Sequence, residues 1–224
     1  MLVPHLMFSH MLADYALQTN WIVARKNQSI NGLLLHGFIV FLMSILVLPR
    51  YINVLFIPLL IMGAIHTVQD WAKVYSGPRL KIHPFYPYMA DQLLHYLAIV
   101  IFQLIVGSWL NPAPSPLEYT LMAVGAIVMA ATRFYDVTWW ANWLDMIPYM
   151  NRWQTWGYAE RLAMVALSSV GLFFIAPFCA LPRFAYARYI GIPITKQERG
   201  LLEMGIGILF SIALGLFLRG IIAV

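Results

Sequence analysis

SINGLLLHGFIVFLMSILVL, residues 29–48, decides how the rest of the chain is read. It passes without a charged residue, and its one imidazole is His36. A helix of about 20 apolar residues crosses the ~30 Å hydrocarbon layer of a bilayer. The stretch therefore reads as a membrane span with a titratable side chain inside it. Working outward, further apolar runs fall near residues 3–23, 52–74, 88–110, 117–139, 158–182 and 200–222. The breaks between them carry turn chemistry: Arg25-Lys26-Asn27-Gln28, Pro49-Arg50, Ser76-Gly77-Pro78 and the proline-rich run from Asn111 to Pro116. The expected fold is all-α, a polytopic integral membrane bundle of about seven transmembrane helices. It forms a single transmembrane domain over residues 1–224, with helices 1–4 over residues 3–110 and helices 5–7 over 117–222.

Composition points the same way. Of 224 residues, 62% are hydrophobic and 10% charged, against about 25% charged in soluble domains. Too few polar side chains exist to clothe a water-facing surface. The net charge of +5 is spread without a basic run, which excludes a nucleic-acid partner and fits basic loops flanking spans. The lone Cys179 excludes an internal disulfide and a multi-cysteine metal site. The N-terminal stretch lacks a basic leader and is broken by His10 and Asp14, so it does not read as a cleavable signal peptide. Residues 139–157 are rich in Trp, Tyr and Asn and read as interfacial, and Arg183–Arg199 as an amphipathic segment on the membrane surface. Gly207, Ser211 and Gly215 stand at steps of four, a stripe that lets helices pack closely within the chain or between copies in an oligomer. Nine of the basic residues fall on the side holding Arg25 and Lys26 and five on the other. That bias predicts a multi-pass cell-membrane protein with its N-terminus outside and its C-terminus in the cytoplasm.

The polar residues inside the spans carry the chemistry. His10 and Asp14, His66 and Asp70, and Asp91 and His95 are each four apart, with His36 alone on the second span. Residues four apart share a helix face, with Cβ atoms about 6 Å apart. Counted from the Arg25–Lys26 side, Gln18, His36, His66, Asp70, Asp91 and His95 lie within roughly 5–15 Å of the boundary, and Asp14 and His10 somewhat deeper. Antiparallel spans thus bring their polar groups to overlapping levels, which predicts one site inside a four-helix cluster opening toward that side. An ionisable group within the apolar layer costs about 2.5–3.5 kcal/mol on insertion scales, so such groups are paired or functional.

Imidazole and carboxylate are ligands for a divalent metal such as zinc, manganese or iron. The expected metal set is His10, Asp14, His36, His66, Asp70, Asp91 and His95. Asp14, Asp70 and Lys73 are the candidate catalytic groups, and Gln18, Gln92, Arg133 and Arg161 the candidate substrate-binding groups. The corresponding function is metal-dependent hydrolysis of a lipid-linked or amphipathic substrate, with membrane lipid as surrounding partner. The same constellation serves a small proton- or cation-coupled transporter, or a structural network in a non-catalytic subunit. His-Glu-x-x-His, a Gly-x-Ser-x-Gly elbow and a phosphate-binding glycine loop are absent from the sequence. His83 reads as a surface residue. Arg133 with Asp136, and Glu160 with Arg161, read as a salt-bridged wall or an anion clamp.

The run Ser9-His10-Met-Leu-Ala-Asp14-Tyr-Ala-Leu-Gln18-Thr19, then His36, His66-x-x-x-Asp70-x-x-Lys73 and Asp91-Gln92-x-x-His95, resembles the bacterial membrane family catalogued as domain of unknown function 3307. Downstream, Gly157-Tyr-Ala-Glu160-Arg161-Leu162 resembles that family's Gly-x-x-Glu-Arg-Leu segment. Arg183-Phe184 resembles the end of its Ala-Lys-Ser-x-x-Arg-Phe segment, and Glu203 with Gly207 and Ser211 loosely resembles its last span. Cys179 stands where that segment has its lysine, so no role of the lysine carries over, and the spacing after Glu203 is one residue short. The resemblance implies a bacterial inner-membrane helix bundle and leaves the reaction open.

Overall fold

The computed structural model describes residues 2–110, 115–135, 137, 151–189 and 194–222. These are helical, with no strand among them. The chain divides into two compact units, Met1–Ala126 and Ile127–Val224.

The first unit begins with α1, Val3–Met11, whose Pro4 sits in the first turn where its missing N–H is not needed. The helix continues as a π-helical stretch, Leu12–Leu17, and then breaks at Gln18, with φ −74° and ψ 82°. Thr19 caps α2, Asn20–Gln28, by accepting from Ile22 N through its hydroxyl. Ser29 caps α3, Ile30–Val47, in the same manner through Gly32 N. A 3-10 turn at Pro49–Tyr51 leads into α4, Ile52–Ser76. α5, Phe85–Val106, and α6, Pro116–Met129, follow.

Among the described residues, four stretches are long and apolar enough to cross a membrane: Ile30–Val47, Pro49–Ser76, Phe85–Trp109 and Met204–Ile221. The expected count of seven is not confirmed among them. The expected first span, residues 3–23, is broken at Gln18, which leaves 15 helical residues, about 22 Å and short of a bilayer. The expected sixth span, residues 158–182, is also interrupted. α7, Asn151–Ser169, gives way to Gly171 at φ +91°, a conformation suited to glycine, and then to a 3-10 turn at Ala176–Ala180. The expected fifth span corresponds to the shorter apolar stretch Pro116–Thr132. Asp136 and most of residues 139–157 lie outside the described residues. Hydropathy averages over a window and does not register a single residue that turns the chain.

Unit 1 is layered along its helix axes. Leu2 and Leu6 of α1, Phe41 of α3, Leu55, Leu59 and Met62 of α4, and Ile99 and Phe102 of α5 close one apolar core. His10, His36, His66, Asp70, Asp91 and His95 occupy the opposite halves of the same four helices. The unit's exterior is apolar instead of charged, with Leu34, Phe38, Leu46, Ile57, Leu93 and Leu104 exposed, as a lipid-facing surface requires.

Two close approaches set the spacing of these helices. A Cβ on Gly37 would lie 1.8 Å from Thr67 Oγ1 and 3.1 Å from Gly63 O, and one on Gly63 would lie 3.1 Å from Phe41 Cβ. α3 and α4 therefore touch backbone to backbone one residue beyond His36 and three before His66. A Cβ on Gly32 would fall 2.3 Å from the carbonyl carbon of Arg25, so α2 folds back against the start of α3.

In the second unit, α7 packs on α9, Ile194–Ile222, around Met164, Ala176, Ala180 and Met204. Gly215 meets Ser168 and Val165 of α7, and Gly207 meets Tyr135, so this stripe serves close packing within the unit. α8, Leu181–Tyr189, carries Arg183, which is buried and holds Glu160 at 2.8 Å. Leu181, Phe184 and Tyr189 of the same helix are exposed, and the rest of the expected surface segment to Arg199 lies largely outside the described residues. Gly63→Val should lower thermal stability in detergent by about 1–3 kcal/mol through overpacking. Gly205→Val, at a position whose Cβ would meet nothing within 4 Å, should leave it unchanged.

Candidate metal centre

The spacing of four does what helical geometry dictates. α4 presents His66 and Asp70 on one face, with His66 Nε2 3.4 Å from Asp70 Oδ2. α1 and its π-helical continuation present His10 and Asp14, with Nδ1 and Oδ1 3.8 Å apart. α5 presents Asp91 and His95 at the same separation. The extra residue taken up by a π-helical turn rotates Asp14 relative to a regular helix, and such turns recur at functional sites.

Close packing of α3 on α4 brings His36 to this set. Its Nε2 lies 3.1 Å from His66 Nε2, 3.2 Å from Asp14 Oδ1 and 3.5 Å from Asp70 Oδ2. His66 Nε2 lies 3.6 Å from Asp14 Oδ1. The two imidazole nitrogens thus each lie within 3.6 Å of both the Asp14 and the Asp70 carboxylates. His10, His36, His66, Asp70, Asp91 and His95 are each no more than 4% exposed, and the Asp14 side chain is 7% exposed. Ring centroids of His66 and His95 are 4.1 Å apart, and those of His10 and His95 5.1 Å. All seven expected metal ligands are therefore in one cluster. Three groupings bring one ligand atom from each member within 4.8 Å: His10, Asp14 and His66; His36, His66 and Asp70; Asp70, Asp91 and His95. Each could hold a metal ion.

Buried carboxylates demand compensation. Lys73 Nζ donates to Asp91 Oδ2 at 2.6 Å and lies 3.8 Å from Asp70 Oδ1. Lys26 Nζ donates to both oxygens of Asp70 at 3.0 Å and is 4% exposed. The Arg25–Lys26 break reads from sequence as a loop, and Lys26 is a member of the cluster that this reading misses. The available signal is Gly32: a glycine three residues after the helix cap Ser29 allows the preceding helix to fold back. Tyr15 is the second omission, its hydroxyl donating to Gln92 Oε1 at 2.7 Å and lying 2.9 Å from Tyr88 Oη.

The expected substrate-binding residues separate. Gln92 is 2% exposed and bonds Asp91 and Tyr15. With its amide oriented to satisfy both groups, Gln18 accepts from Lys26 Nζ at 3.1 Å and donates to the Asp14 carbonyl at 3.2 Å. Arg161 lies in the second unit, where its Nε donates to Ala131 O at 2.5 Å and its guanidinium covers Tyr135. The side chain of Arg133 lies outside the described residues. His83 is exposed, as expected.

Among the described residues, helices without strands, four of them of membrane length, and a buried His/Asp/Lys centre are the class that fold and site define. The chain belongs to the family described as "Protein of unknown function (DUF3307)", whose model matches residues 2–118. The matched segment contains every residue of the centre, whereas Gly157–Leu162, Arg183-Phe184 and the last span lie beyond it. No curated protein and no solved structure matches the chain.

Removing Lys26 should leave Asp70 buried without its closest cation. Lys26→Met is expected to lower unfolding stability by about 3–5 kcal/mol. Lys26→Met with Asp70→Asn should recover much of that loss, which a double-mutant cycle of thermal unfolding in detergent would read directly.

Proposed function

We propose that the chain is an integral membrane metal-dependent hydrolase whose metal is held by His36, His66, Asp70 and Asp14. One observation carries this reading. Tetrahedral zinc with bonds of about 2.0–2.1 Å needs donor atoms about 3.3–3.4 Å apart. The five separations given above among these four donors run from 3.1 to 3.6 Å.

His36, His66 and Asp70 would hold the ion as a two-histidine, one-carboxylate set. Asp14, on the π-helical turn and the most exposed of the four donors, is the residue that would give way to a water and would accept its proton. Lys26 and Gln18 keep Asp70 and Asp14 in place. Lys73, whose side chain is 27% exposed, reaches outward and would take an anionic group of the substrate.

Charge supports a phosphate-type substrate. Asp14, Asp70 and Asp91 stand against Lys26 and Lys73, leaving one uncompensated negative charge. A divalent ion reverses that sign and attracts an anion. A lipid-linked substrate is supported by an apolar groove of about 430 Å³ between α4 and α5. It runs from Trp109 past Ile101 and Leu97 to Leu94 and Gln69, which precede His95 and Asp70 in the sequence.

Protein purified in mild detergent without chelator should carry zinc, manganese or iron by elemental mass spectrometry, and His66→Gln should lose it. No metal in either sample after incubation with metal salts would overturn the reading. The metal-loaded protein should hydrolyse bis(p-nitrophenyl) phosphate in mixed micelles. Asp14→Asn should retain metal while losing at least about a hundredfold in rate, the size of a general-base contribution. A closed shell of four protein ligands is also what a transported or structural cation requires. Loss of metal in Asp14→Asn, with no hydrolysis by the parent protein, would favour that function.

A further inference from the structure

The groups that hold His36, His66, Asp70 and Asp14 together do not satisfy the α5 side of the centre. His95 is 3% exposed, yet neither ring nitrogen has a hydrogen-bond partner, and Asp91 Oδ1, 3.8 Å from His95 Nδ1, has none either. A buried polar atom without a partner costs about 1–3 kcal/mol. Three such atoms on one helical turn describe a position built for a ligand.

The neighbouring carboxylate is already shared. Asp70 turns Oδ2 toward His36 and His66, while Oδ1 faces Lys73. Asp70, Asp91 and His95 each bring a ligand atom within 4.8 Å of the others. The Lys73 ammonium touches both carboxylates, at 2.6 Å to Asp91 and 3.8 Å to Asp70. A lysine can only donate, and it has no bond to His95 in this arrangement. A divalent cation would satisfy the two carboxylates and the imidazole together.

We propose that Asp91, His95 and Asp70 form a second divalent-cation position, so that the centre is dinuclear with Asp70 as its bridging carboxylate. The inference rests on the metal reading given above and deepens it. Metal ions about 3.5–4 Å apart can stabilise both the attacking and the leaving oxygen of a phosphoryl displacement, which is in keeping with the phosphate-type substrate proposed above. Lys73 is then the side chain that the second ion displaces. Its partial exposure gives the ammonium a way out toward the polar end of the bundle.

The test loads the full-length protein in detergent with manganese and reads stoichiometry and electron paramagnetic resonance. Two equivalents with an exchange-coupled signal are expected. His95→Gln and Asp91→Asn should each fall to one equivalent with an uncoupled six-line spectrum. Lys73→Met, which removes the competing charge, should bind the second equivalent roughly tenfold or more tightly. One equivalent in the parent protein, unchanged in His95→Gln and in Lys73→Met, would overturn the second position and leave the first intact. No manganese, zinc or iron bound at all would overturn both.

Discussion

Everything in the first unit is arranged around the cost of burying the Asp70 carboxylate. Its side chain is 1% exposed, in helices whose outer faces are apolar. An isolated ionised carboxylate there would be strongly destabilising. Two lysines and two imidazoles answer that cost from different elements: Lys26 from α2, Lys73 and His66 from α4, and His36 from α3. No local segment could supply them all. The fold must therefore bring α2 back toward α3 and seat α3 tightly on α4, and the glycines at 32, 37 and 63 stand where those approaches occur.

Those contacts also tie stability to chemistry. Deepening the apolar core around Leu55, Leu59 and Ile99 fixes the register of α4 and α5. Register in turn sets the spacing of His66, Asp70, Asp91 and His95, since all four are carried on the continuing halves of the same helices. A rigid apolar half thus pre-organises a polar half, as sites built on helices do more accurately than sites built on loops.

Much of this was legible in the sequence. Periodicity places the His–Asp pairs on shared faces, and helix rise brings them to overlapping depths, so the seven-residue cluster follows from spacing alone. Lys26 does not, because its position depends on the chain reversing at Gln18-Thr19, and a run of Arg-Lys-Asn-Gln reads as an ordinary loop. Arg183 is hidden for a similar reason: its partner Glu160 is separated by a turn at Gly171 that hydropathy passes over. The same blindness to single-residue breaks makes continuous spans of the segments around Gln18 and Gly171, which the structure interrupts.

The lengthwise layering has an electrical consequence. Asp70 lies six residues from the end of α4 at Ser76, roughly 9 Å along an axis that must cover about 30 Å of hydrocarbon. Beyond it, the packed layer of Leu6, Phe41, Leu55, Leu59, Ile99 and Phe102 acts as an insulator. Moving one charge across a whole membrane is worth about 2.3 kcal/mol per 100 mV. An ion entering from the polar end crosses only about a third of that field. A cation bound at the proposed centre from that end would therefore be largely decoupled from a membrane potential and governed by its concentration on that side.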